Sequence, residues 1–431
     1  MFSISILMDP AVFVILILAV ALVLFMTEVI PLTATAMFVT LSLYFSGIID
    51  VKTALKSFSD QNIMIIASLG IVGEALFKTG AAQTFGLFFE RVAKSERKFV
   101  FWLVIGSGLL AAFLSVNGCA ALLISVALGI SQSTNYRRCK LMYPICVGVC
   151  LGGGITTVGS SSTLYLQKIL EDMGQHMGFF ELAPLCLVLL LVSAFFLSTI
   201  GFNLMPEKPN NEEDFTYSTK KPDFSKVPTW KPKAATFILV VTFAGMYFAS
   251  KLRIAVGMVA VLAAFTVMCT KLVSSKEALR AIPMGTLVMY GFMVPISAAM
   301  KSSGASQMLV NFIQTRAGTL TSPLMIILCI YFFAVPLTNV MSNAATIIML
   351  TPVAMAAAQS MNLNPLAVLM TVRMAGTLAF MTPIGFIPNT MSIEPGGYSF
   401  MDYMKPGLPL TLISIAICVA YFYIAYPMFV K

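Results

Sequence analysis

Ten stretches of this sequence are apolar over about the length that a helix needs to cross a membrane. The hydrocarbon core of a bilayer takes about 20 residues of α-helix, and a helix satisfies its own backbone polar groups there. Only 10% of the 431 residues are charged, against about 25% in a typical soluble domain. The chain is therefore predicted to be an all-α integral membrane protein with spans at 11–29, 33–49, 61–78, 141–166, 183–204, 233–251, 254–273, 283–300, 365–393 and 406–429.

Two further apolar stretches, 99–131 and 322–358, are too long for one straight span. Each is interrupted in its middle by polar or small residues, at Ser115–Cys119 and at Thr338–Asn343. The free backbone groups of such an interruption cannot face lipid, so they must face protein or a water-filled cavity. Both stretches are predicted to be re-entrant helical hairpins.

The sequence also repeats itself, with an offset of 224 residues that later drifts by one or two. The related pairs include Lys52 and Lys276, Gly80 and Gly304, Ala120 and Ala345, Thr156 and Thr382, and Gly159 and Gly385. Each half then holds five spans and one hairpin, and because five is odd the second half enters the membrane from the opposite side. Two inverted repeats, 1–204 and 233–431, are therefore predicted, joined by a solvated cytoplasmic linker at 205–232. Such repeats are common in transporters that bind their solute near the midplane.

The distribution of basic residues orients this layout. Eighteen of the 27 Lys and Arg residues fall on the side that carries 205–232, and eight fall on the other side. Lys and Arg concentrate in cytoplasmic loops, so the linker is predicted to be cytoplasmic and both termini to lie outside. The net charge of +9 then needs no nucleic-acid partner. No Lys or Arg precedes the first apolar stretch, which argues against a cleaved signal peptide.

Polar residues cluster at the second hairpin tip and in the span that follows it. The tip contains Thr338, Ser342 and Asn343, and span 365–393 contains a break from Thr382 to Thr390 with two prolines and a glycine. A matching break runs from Gly152 to Thr163. Unwound carbonyls can coordinate Na⁺ and helix N-termini can hold an anion. The alternative is a cluster of hydrogen bonds whose only role is to hold helices together.

These motifs resemble the divalent anion/sodium symporter family, which carries Ser-Asn-Thr at both hairpin tips. Ser342-Asn343-Ala344 is similar to the second tip, Gly385-Phe386-Ile387-Pro388-Asn389 to the second break, and Gly159-Ser160-Ser161-Ser162-Thr163 to the first break. The resemblance implies an elevator-type homodimer that binds a di- or tricarboxylate between the tips, with a Na⁺ site in each repeat. The expected substrate contacts are Asn117, Gly118, Cys119, Ser161, Ser162, Thr163, Ser342, Asn343, Ala344, Arg373, Pro388 and Asn389. The expected Na⁺ ligands are Thr338, Ser342, Asn343, Gly385, Gly159 and Asn117.

The first hairpin tip departs from this pattern. It reads Asn117-Gly118-Cys119 where the family has Ser-Asn-Thr, so the amide oxygen of the middle position is missing. The departure weakens the case for the first Na⁺ site. Coupling to fewer Na⁺ ions, coupling to H⁺, and anion exchange all stay open.

Arg373 is a charged residue inside the predicted span 365–393. A charge within a span is costly and usually faces a cavity or a partner. One interpretation is a clamp on a substrate carboxylate, which guanidinium can bind bidentately. The other is a structural pair with an acid, or a side chain that reaches toward the external face.

The sequence as a whole predicts a secondary transporter of a small anion in a bacterial plasma membrane. A proton-coupled or exchange transporter of another anion or metalloid from the same superfamily is the alternative. A channel is disfavoured because inverted repeats with broken spans indicate alternating access. The chain lacks Gly-x-Ser-x-Gly and His-Glu-x-x-His, so an intramembrane hydrolase is not indicated.

Overall fold

The computed structural model describes residues 8–27, 29–81, 95–134, 136–210, 227–252, 254–316 and 322–426. Within these residues the regular elements are helices, which confirms the all-α prediction. The first half contains α1 (Pro10–Thr27), α2 (Leu32–Phe45), α3 (Val51–Lys56), α4 (Gln61–Thr79), α5 (Glu96–Ala111), α6 (Val116–Ser133), α7 (Arg138–Gly152), α8 (Ser161–Glu171), α9 (Ala183–Ser198) and α10 (Ile200–Leu204).

The second half follows the same order. It contains α11 (Trp230–Leu252), α12 (Val256–Cys269), α13 (Ser275–Ala281), α14 (Met284–Met293), α15 (Pro295–Ser302), α16 (Ala305–Arg316), α17 (Pro323–Thr338), α18 (Asn343–Ser360), α19 (Pro365–Ala375), α20 (Ile387–Gly396) and α21 (Phe400–Ala425). By length and composition, four helical stretches of the described chain are able to cross a membrane: Val51–Thr79, Trp230–Ala249, Met284–Ser302 and Phe400–Ala425.

Both stretches predicted to be hairpins fold as two helices joined by a short turn. The turn between α5 and α6 (residues 112–115) is called tip 1, and the turn between α17 and α18 (residues 339–342) is called tip 2. Leu114 N donates to Leu110 O at 3.0 Å in the first turn, and Met341 N donates to Leu337 O at 2.9 Å in the second. The two turns therefore share this hydrogen bond, while their position relative to a membrane stays a prediction.

Two of the predicted spans are broken, as their glycines and prolines indicated. Residues 153–160 separate α7 from α8 and are called break 1, and residues 376–386 separate α19 from α20 and are called break 2. The second break lies earlier than the predicted Thr382–Thr390. Pro388 belongs to the first turn of α20, where its missing N–H would have no helical partner in any case.

Three helices of the first half recur in the second half with the same length. α2 and α12 begin and end 224 residues apart, whereas α5 and α17, like α6 and α18, begin and end 227 residues apart. The contacts are also exchanged between halves, because α8 packs on α18 and α19 while α20 packs on α6 and α7. A pseudo-twofold relation would produce this exchange. The opposite insertion of the two halves in a membrane stays a prediction.

The offset of 227 corrects the alignment of the two tips. Ser115 and Ser342 each lie immediately before the second helix of their hairpin. The counterpart of Asn343 is therefore Val116, and the counterpart of Ala344 is Asn117. The predicted pairing of Ala120 with Ala345 is two residues out of register, because the second half gains three residues between its third span and its hairpin.

The linker predicted at 205–232 is described at residues 205–210 and 227–232, and its first part is hydrogen-bonded to the helices, while Glu207 and Lys208 are exposed. The buried Lys140 Nζ donates to Phe202 O at 2.7 Å, to Met205 O at 2.8 Å and to Glu207 Oε1 at 3.1 Å. The hydrogen bond from Lys140 lowers the pKa of the Glu207 carboxyl. Asn210 Nδ2 donates to Asp402 Oδ2 at 3.0 Å. The linker therefore starts by joining α7 to the beginning of α21, and α11 begins three residues before the predicted boundary at 233.

Candidate functional site

Both tips and both breaks surround one cavity of about 470 Å³. Its lining from the tips, the breaks and the helix turns that follow them includes Phe113, Ser115, Asn117, Gly159, Ser160, Ser161, Ser162, Ser342, Asn343, Ala344, Gly385 and Ile387. A further part of the lining is a wall from α2, α4 and α14, with Leu32, Thr33, Ile66, Leu69, Gly70, Gly285, Thr286 and Met289. The amide groups and most of the hydroxyl groups of the lining thus come from the helix interruptions, whereas the wall is mostly apolar.

The structure brings most of the predicted site residues together around this cavity. The residues that line it are Asn117, Gly159, Ser161, Ser162, Ser342, Asn343, Ala344, Arg373 and Gly385. Six others do not line it: Gly118, Cys119, Thr163, Thr338, Pro388 and Asn389. Each of the six has a packing or hydrogen-bonding role that explains its place.

Gly118 and Cys119 both face neighbouring parts of the protein. A Cβ on Gly118 would lie 2.8 Å from Cε2 of Phe77. Cys119 is fully buried, and its Sγ donates to Ser107 O at 3.8 Å. Neither residue lines the cavity, and their contact with substrate stays a prediction.

Pro388 and Asn389 hold break 2 in shape. Asn389 Nδ2 donates to Ala379 O at 2.8 Å and to Thr382 O at 2.9 Å. The carbonyl of Pro388 accepts from Cys146 Sγ at 3.1 Å. These contacts replace the helical hydrogen bonds that an unwound segment loses. Neither residue lines the cavity, and their contact with substrate stays a prediction.

A matched pair of threonines ties each break to the tip of its own hairpin. Thr156 Oγ1 in break 1 donates to Ala112 O at 2.7 Å, and Thr382 Oγ1 in break 2 donates to Asn339 O. Each hydroxyl also accepts from the glycine three residues later. The equivalence of Thr156 with Thr382 and of Gly159 with Gly385, which the sequence repeat predicts, thus extends to their hydrogen bonds.

Arg373 carries a buried charge into the cavity. The residue is 3% exposed. Its Nε donates to Thr163 Oγ1 at 2.7 Å, its Nη2 donates to Gly153 O at 3.3 Å, and its Nη1 donates to Thr377 Oγ1. A guanidinium has five N–H groups, so two are left for a ligand. No carboxylate of the described residues pairs with it, which removes the structural ion pair as an explanation there.

Thr163 therefore acts on Arg373 and not on the cavity directly. It lies on α8 of the first half, while Arg373 lies on α19 of the second half. Gly153 at the start of break 1 also belongs to the first half. The guanidinium is thus held in place by groups from both halves, and its orientation depends on how they meet.

Each tip and each break is followed by a helix that begins at the cavity, namely α6, α8, α18 and α20. The first N–H groups of a helix have no partner within the helix and carry partial positive charge. Ser115 and Ser160, which precede α6 and α8, make no side-chain cap, whereas Ser342 Oγ accepts from Ala345 N at 3.3 Å in α18. Uncapped helix N-termini are suited to bind the oxygens of an anion.

Oxygen atoms converge on one side of tip 2. Thr338 Oγ1 lies 2.8 Å from Asn343 Oδ1 and 2.6 Å from Gly376 O. The hydroxyl has one proton, so at least one of these two acceptors is free to bind a cation. Neutral hydroxyl, amide and carbonyl oxygens of this kind can coordinate Na⁺. The matching positions in the first half are Ala111 and Val116, whose side chains have no oxygen, and the described residues contain no group of His, Cys, Asp or Glu that could hold another metal.

Several residues that line the cavity are not among those predicted from the sequence. Thr377 could have been found, because it follows Arg373 by one helical turn. Ser115 was not predicted because tip 1 was aligned with tip 2 in the wrong register. Cys150 and the wall residues of α2, α4 and α14 gave no signal, because they lie in apolar helices whose cavity-facing side is visible only in the fold.

Comparison with known proteins places the chain in a family. A family model described as a citrate transporter matches residues 22–372 and 247–431. The chain belongs to the citrate transporter family. Its members are membrane transporters and not enzymes, so the chain is an integral membrane transporter.

Individual relatives are distant. The uncharacterized transporter YfbS of Escherichia coli is 21% identical over 96% of this chain and 99% of its own length. A sodium-dependent dicarboxylate transporter, SdcS of Staphylococcus saprophyticus, is 21% identical over 97% of this chain and 87% of its own length. A sodium-dependent high-affinity dicarboxylate transporter of Caenorhabditis elegans is 23% identical over 92% of this chain and 80% of its own length. These relatives support the resemblance to the divalent anion/sodium symporters.

Two solved structures share the fold. The YdaH transporter of Alcanivorax borkumensis aligns with a TM-score of 0.64 at 15% identity over 97% of this chain and 99% of that chain. The MtrF efflux pump of Neisseria gonorrhoeae aligns with a TM-score of 0.63 at 12% identity over 96% and 94%. At these identities the likeness is one of fold alone.

Proposed function

We propose that this protein is a secondary transporter that carries a di- or tricarboxylate together with Na⁺. The observation that carries the proposal is Arg373, a buried guanidinium at the cavity with two uncommitted N–H groups and no carboxylate partner within the described chain. A buried charge without a counter-ion costs several kcal/mol. A substrate carboxylate supplies that counter-ion and can bind bidentately.

The rest of the cavity supports an anion with more than one oxygen-bearing group. The uncapped N-termini of α6 and α8 lie on the first-half side, and serine hydroxyls from Ser160 to Ser162 lie beside them. No Asp or Glu lines the cavity within the described residues. The apolar wall, with Leu32 and Met289, provides contact for the carbon skeleton of an organic acid.

We place one Na⁺ site in the second half, at Thr338 Oγ1, Asn343 Oδ1 and Gly376 O. Carbonyls of unwound helices and neighbouring hydroxyl and amide oxygens coordinate Na⁺ in transporters. The first half offers Ala111 and Val116 instead, so we expect no equivalent site there. The sodium-dependent dicarboxylate transporters among the relatives support the choice of cation.

We further propose that the two halves are inverted repeats and that the protein works as an elevator-type homodimer. In this proposal the hairpins and broken spans move with the substrate past the wall of α2, α4 and α14. In this proposal 205–232 lies in the cytoplasm of a bacterium and both termini lie outside, and the asymmetry of the basic residues supports this orientation. The exchanged helix contacts and the cavity between the two groups of helices support this arrangement.

Uptake by the purified protein in proteoliposomes tests the proposal. Labelled citrate, succinate, tartrate and sulfate are offered under an inward Na⁺ gradient, a K⁺ gradient, or a pH gradient. We expect saturable accumulation of a carboxylate only with the Na⁺ gradient. Accumulation that follows the pH gradient instead, or requires an internal anion without Na⁺, would favour the proton-coupled or exchange alternative and contradict the sodium part of the proposal.

A further inference from the structure

Cys150 connects the first half of the chain to the proposed Na⁺ site. It lies near the end of α7, is 4% exposed and lines the cavity beside Asn343 and Arg373. Its Sγ donates to Thr377 O at 3.0 Å. The same sulfur accepts from Asn343 Nδ2 at 3.5 Å, which is within the range of hydrogen bonds to sulfur.

The side-chain amide of Asn343 has two unequal ends, and its hydrogen bonds decide which end faces the Na⁺ site. Its Oδ1 faces Thr338 Oγ1 at 2.8 Å, and its Nδ2 faces Cys150. A rotation by half a turn would place an N–H donor beside Thr338 Oγ1 and Gly376 O, where a cation needs an oxygen. Thr338 alone does not prevent this rotation, because a hydroxyl can accept a hydrogen bond as well as donate one.

We propose that Cys150 is a positioning residue that fixes the orientation of the Asn343 amide and thereby sets the affinity for Na⁺. The inference rests on the proposed function, because it assumes that Na⁺ binds at Asn343. Thr377 O anchors the thiol proton, so the sulfur lone pairs are directed toward Nδ2. The thiol belongs to the first half and the amide to the second, so Na⁺ binding depends on the packing of α7 against tip 2.

The first test compares the Na⁺ dependence of Cys150→Ala, Cys150→Ser and wild-type protein. The purified full-length proteins are titrated with NaCl against KCl at constant ionic strength, and the Na⁺-specific rise in Tm gives the midpoint for Na⁺. The Na⁺ activation of citrate and succinate uptake is measured in parallel. Loss of one neutral hydrogen bond predicts a midpoint about fivefold higher in Cys150→Ala. Cys150→Ser keeps a group that donates and accepts, so its midpoint should stay within about twofold of wild type.

Cys146→Ala is the matched control. Cys146 precedes Cys150 by one turn of the same helix and is also buried, but its Sγ donates to Pro388 O and does not line the cavity. The same substitution there should leave the Na⁺ midpoint unchanged. An equal rise in both alanine variants would assign the effect to general packing of α7 and overturn the inference.

Asn343→Asp provides a second, independent test. A carboxylate presents an oxygen to the Na⁺ site in either orientation, so it does not need Cys150 to orient it. Adding Cys150→Ala in the Asn343→Asp background should therefore change the Na⁺ midpoint by less than about twofold, since coupled residues are non-additive. A fivefold rise in that background would contradict a role through Asn343.

The outcomes for wild-type protein separate this inference from the proposed function. Wild-type protein that responds to Na⁺ while Cys150→Ala has the same midpoint would overturn the role of Cys150 and leave the proposed function intact. Wild-type protein that accumulates a carboxylate with no response to Na⁺ would overturn the sodium part of the proposed function, and this inference with it.

Discussion

Replacement of Arg373 tests the assignment of the anion site, and its effect can be worked out from the contacts of the guanidinium. Three N–H groups are held by Thr163, Thr377 and Gly153, and two are left for the substrate. Lysine keeps the charge but has three donors on a single nitrogen. In Arg373→Lys, at least one charged hydrogen bond to the substrate should therefore be lost.

A hydrogen bond to a charged group contributes about 1.5–3 kcal/mol, and about 1.4 kcal/mol is a factor of ten in affinity. The Kd of Arg373→Lys for the transported carboxylate should therefore rise by about ten- to hundredfold. Arg373→Gln also removes the counter-ion, so its loss of affinity should be larger than that of the lysine variant. The assay is equilibrium binding of labelled carboxylate to purified protein, with Tm recorded for each variant to show that it is folded.

Thr371→Val is the control in the same helix. Thr371 is buried, donates to Ala367 O at 2.8 Å and does not line the cavity. Its substitution should leave the Kd within about twofold of wild type, since surroundings away from the ligand add little to binding. If folded Arg373→Lys bound the carboxylate as tightly as wild type, the guanidinium would be a structural group and our reasoning would be refuted.

Three further predictions follow from the geometry of the site. Asn343→Ala should abolish Na⁺-driven uptake. Gly118→Ala should lower Tm slightly and keep the KM for the carboxylate, because its Cβ meets the movable ring of Phe77. Equal losses of uptake in the two variants would contradict this prediction. Gly385→Ala should prevent normal folding or lower Tm strongly, because its Cβ would lie 2.0 Å from a backbone oxygen. Gly285→Ala on the cavity wall should be tolerated, because its Cβ would meet its nearest atom at 3.7 Å. The reverse order of the two variants in thermal unfolding would argue against the packing of break 2. The Na⁺ activation of uptake should have a Hill coefficient of about one, since the side-chain oxygens of Thr338 and Asn343 have no counterpart at Ala111 and Val116; a coefficient near two would show that the first half binds Na⁺ as well.

The interruptions of the helices could be predicted from the sequence because polar residues, glycines and prolines are easily recognised within long apolar runs. Polar side chains such as Asn343 are costly within apolar runs unless they have partners, so they mark the tips. Glycines and prolines mark the breaks for backbone reasons. Arg373 could be recognised for the same reason as the tips, because a charged side chain within an apolar span has a high energetic cost.

The register of the first tip could not be predicted in this way. The sequence repeat is clear around Gly80 and Gly304, which both end a helix with φ of +77°, but the second half gains three residues before its hairpin. With no polar counterpart to Asn343 in the first half, the alignment was placed two residues too late. Only the equivalent turns before Ser115 and Ser342 reveal the correct match.

The direction of side chains was the other feature that the sequence could not supply. A helix that is apolar all round gives no indication of which face is buried. Cys150 and Cys146 lie on the same helix and have similar neighbours in sequence, yet only Cys150 lines the cavity. The choice between them depends on how α7 packs against tip 2 and break 2.

The most direct test of the central claim is a cryo-EM structure of the protein in nanodiscs with Na⁺ and the carboxylate that it transports. We predict density for the carboxylate in the cavity between the two tips, with one carboxyl group about 3 Å from the guanidinium of Arg373. A structure in which the anion binds elsewhere, or in which this cavity is closed by packing while the protein still binds its substrate, would contradict the account.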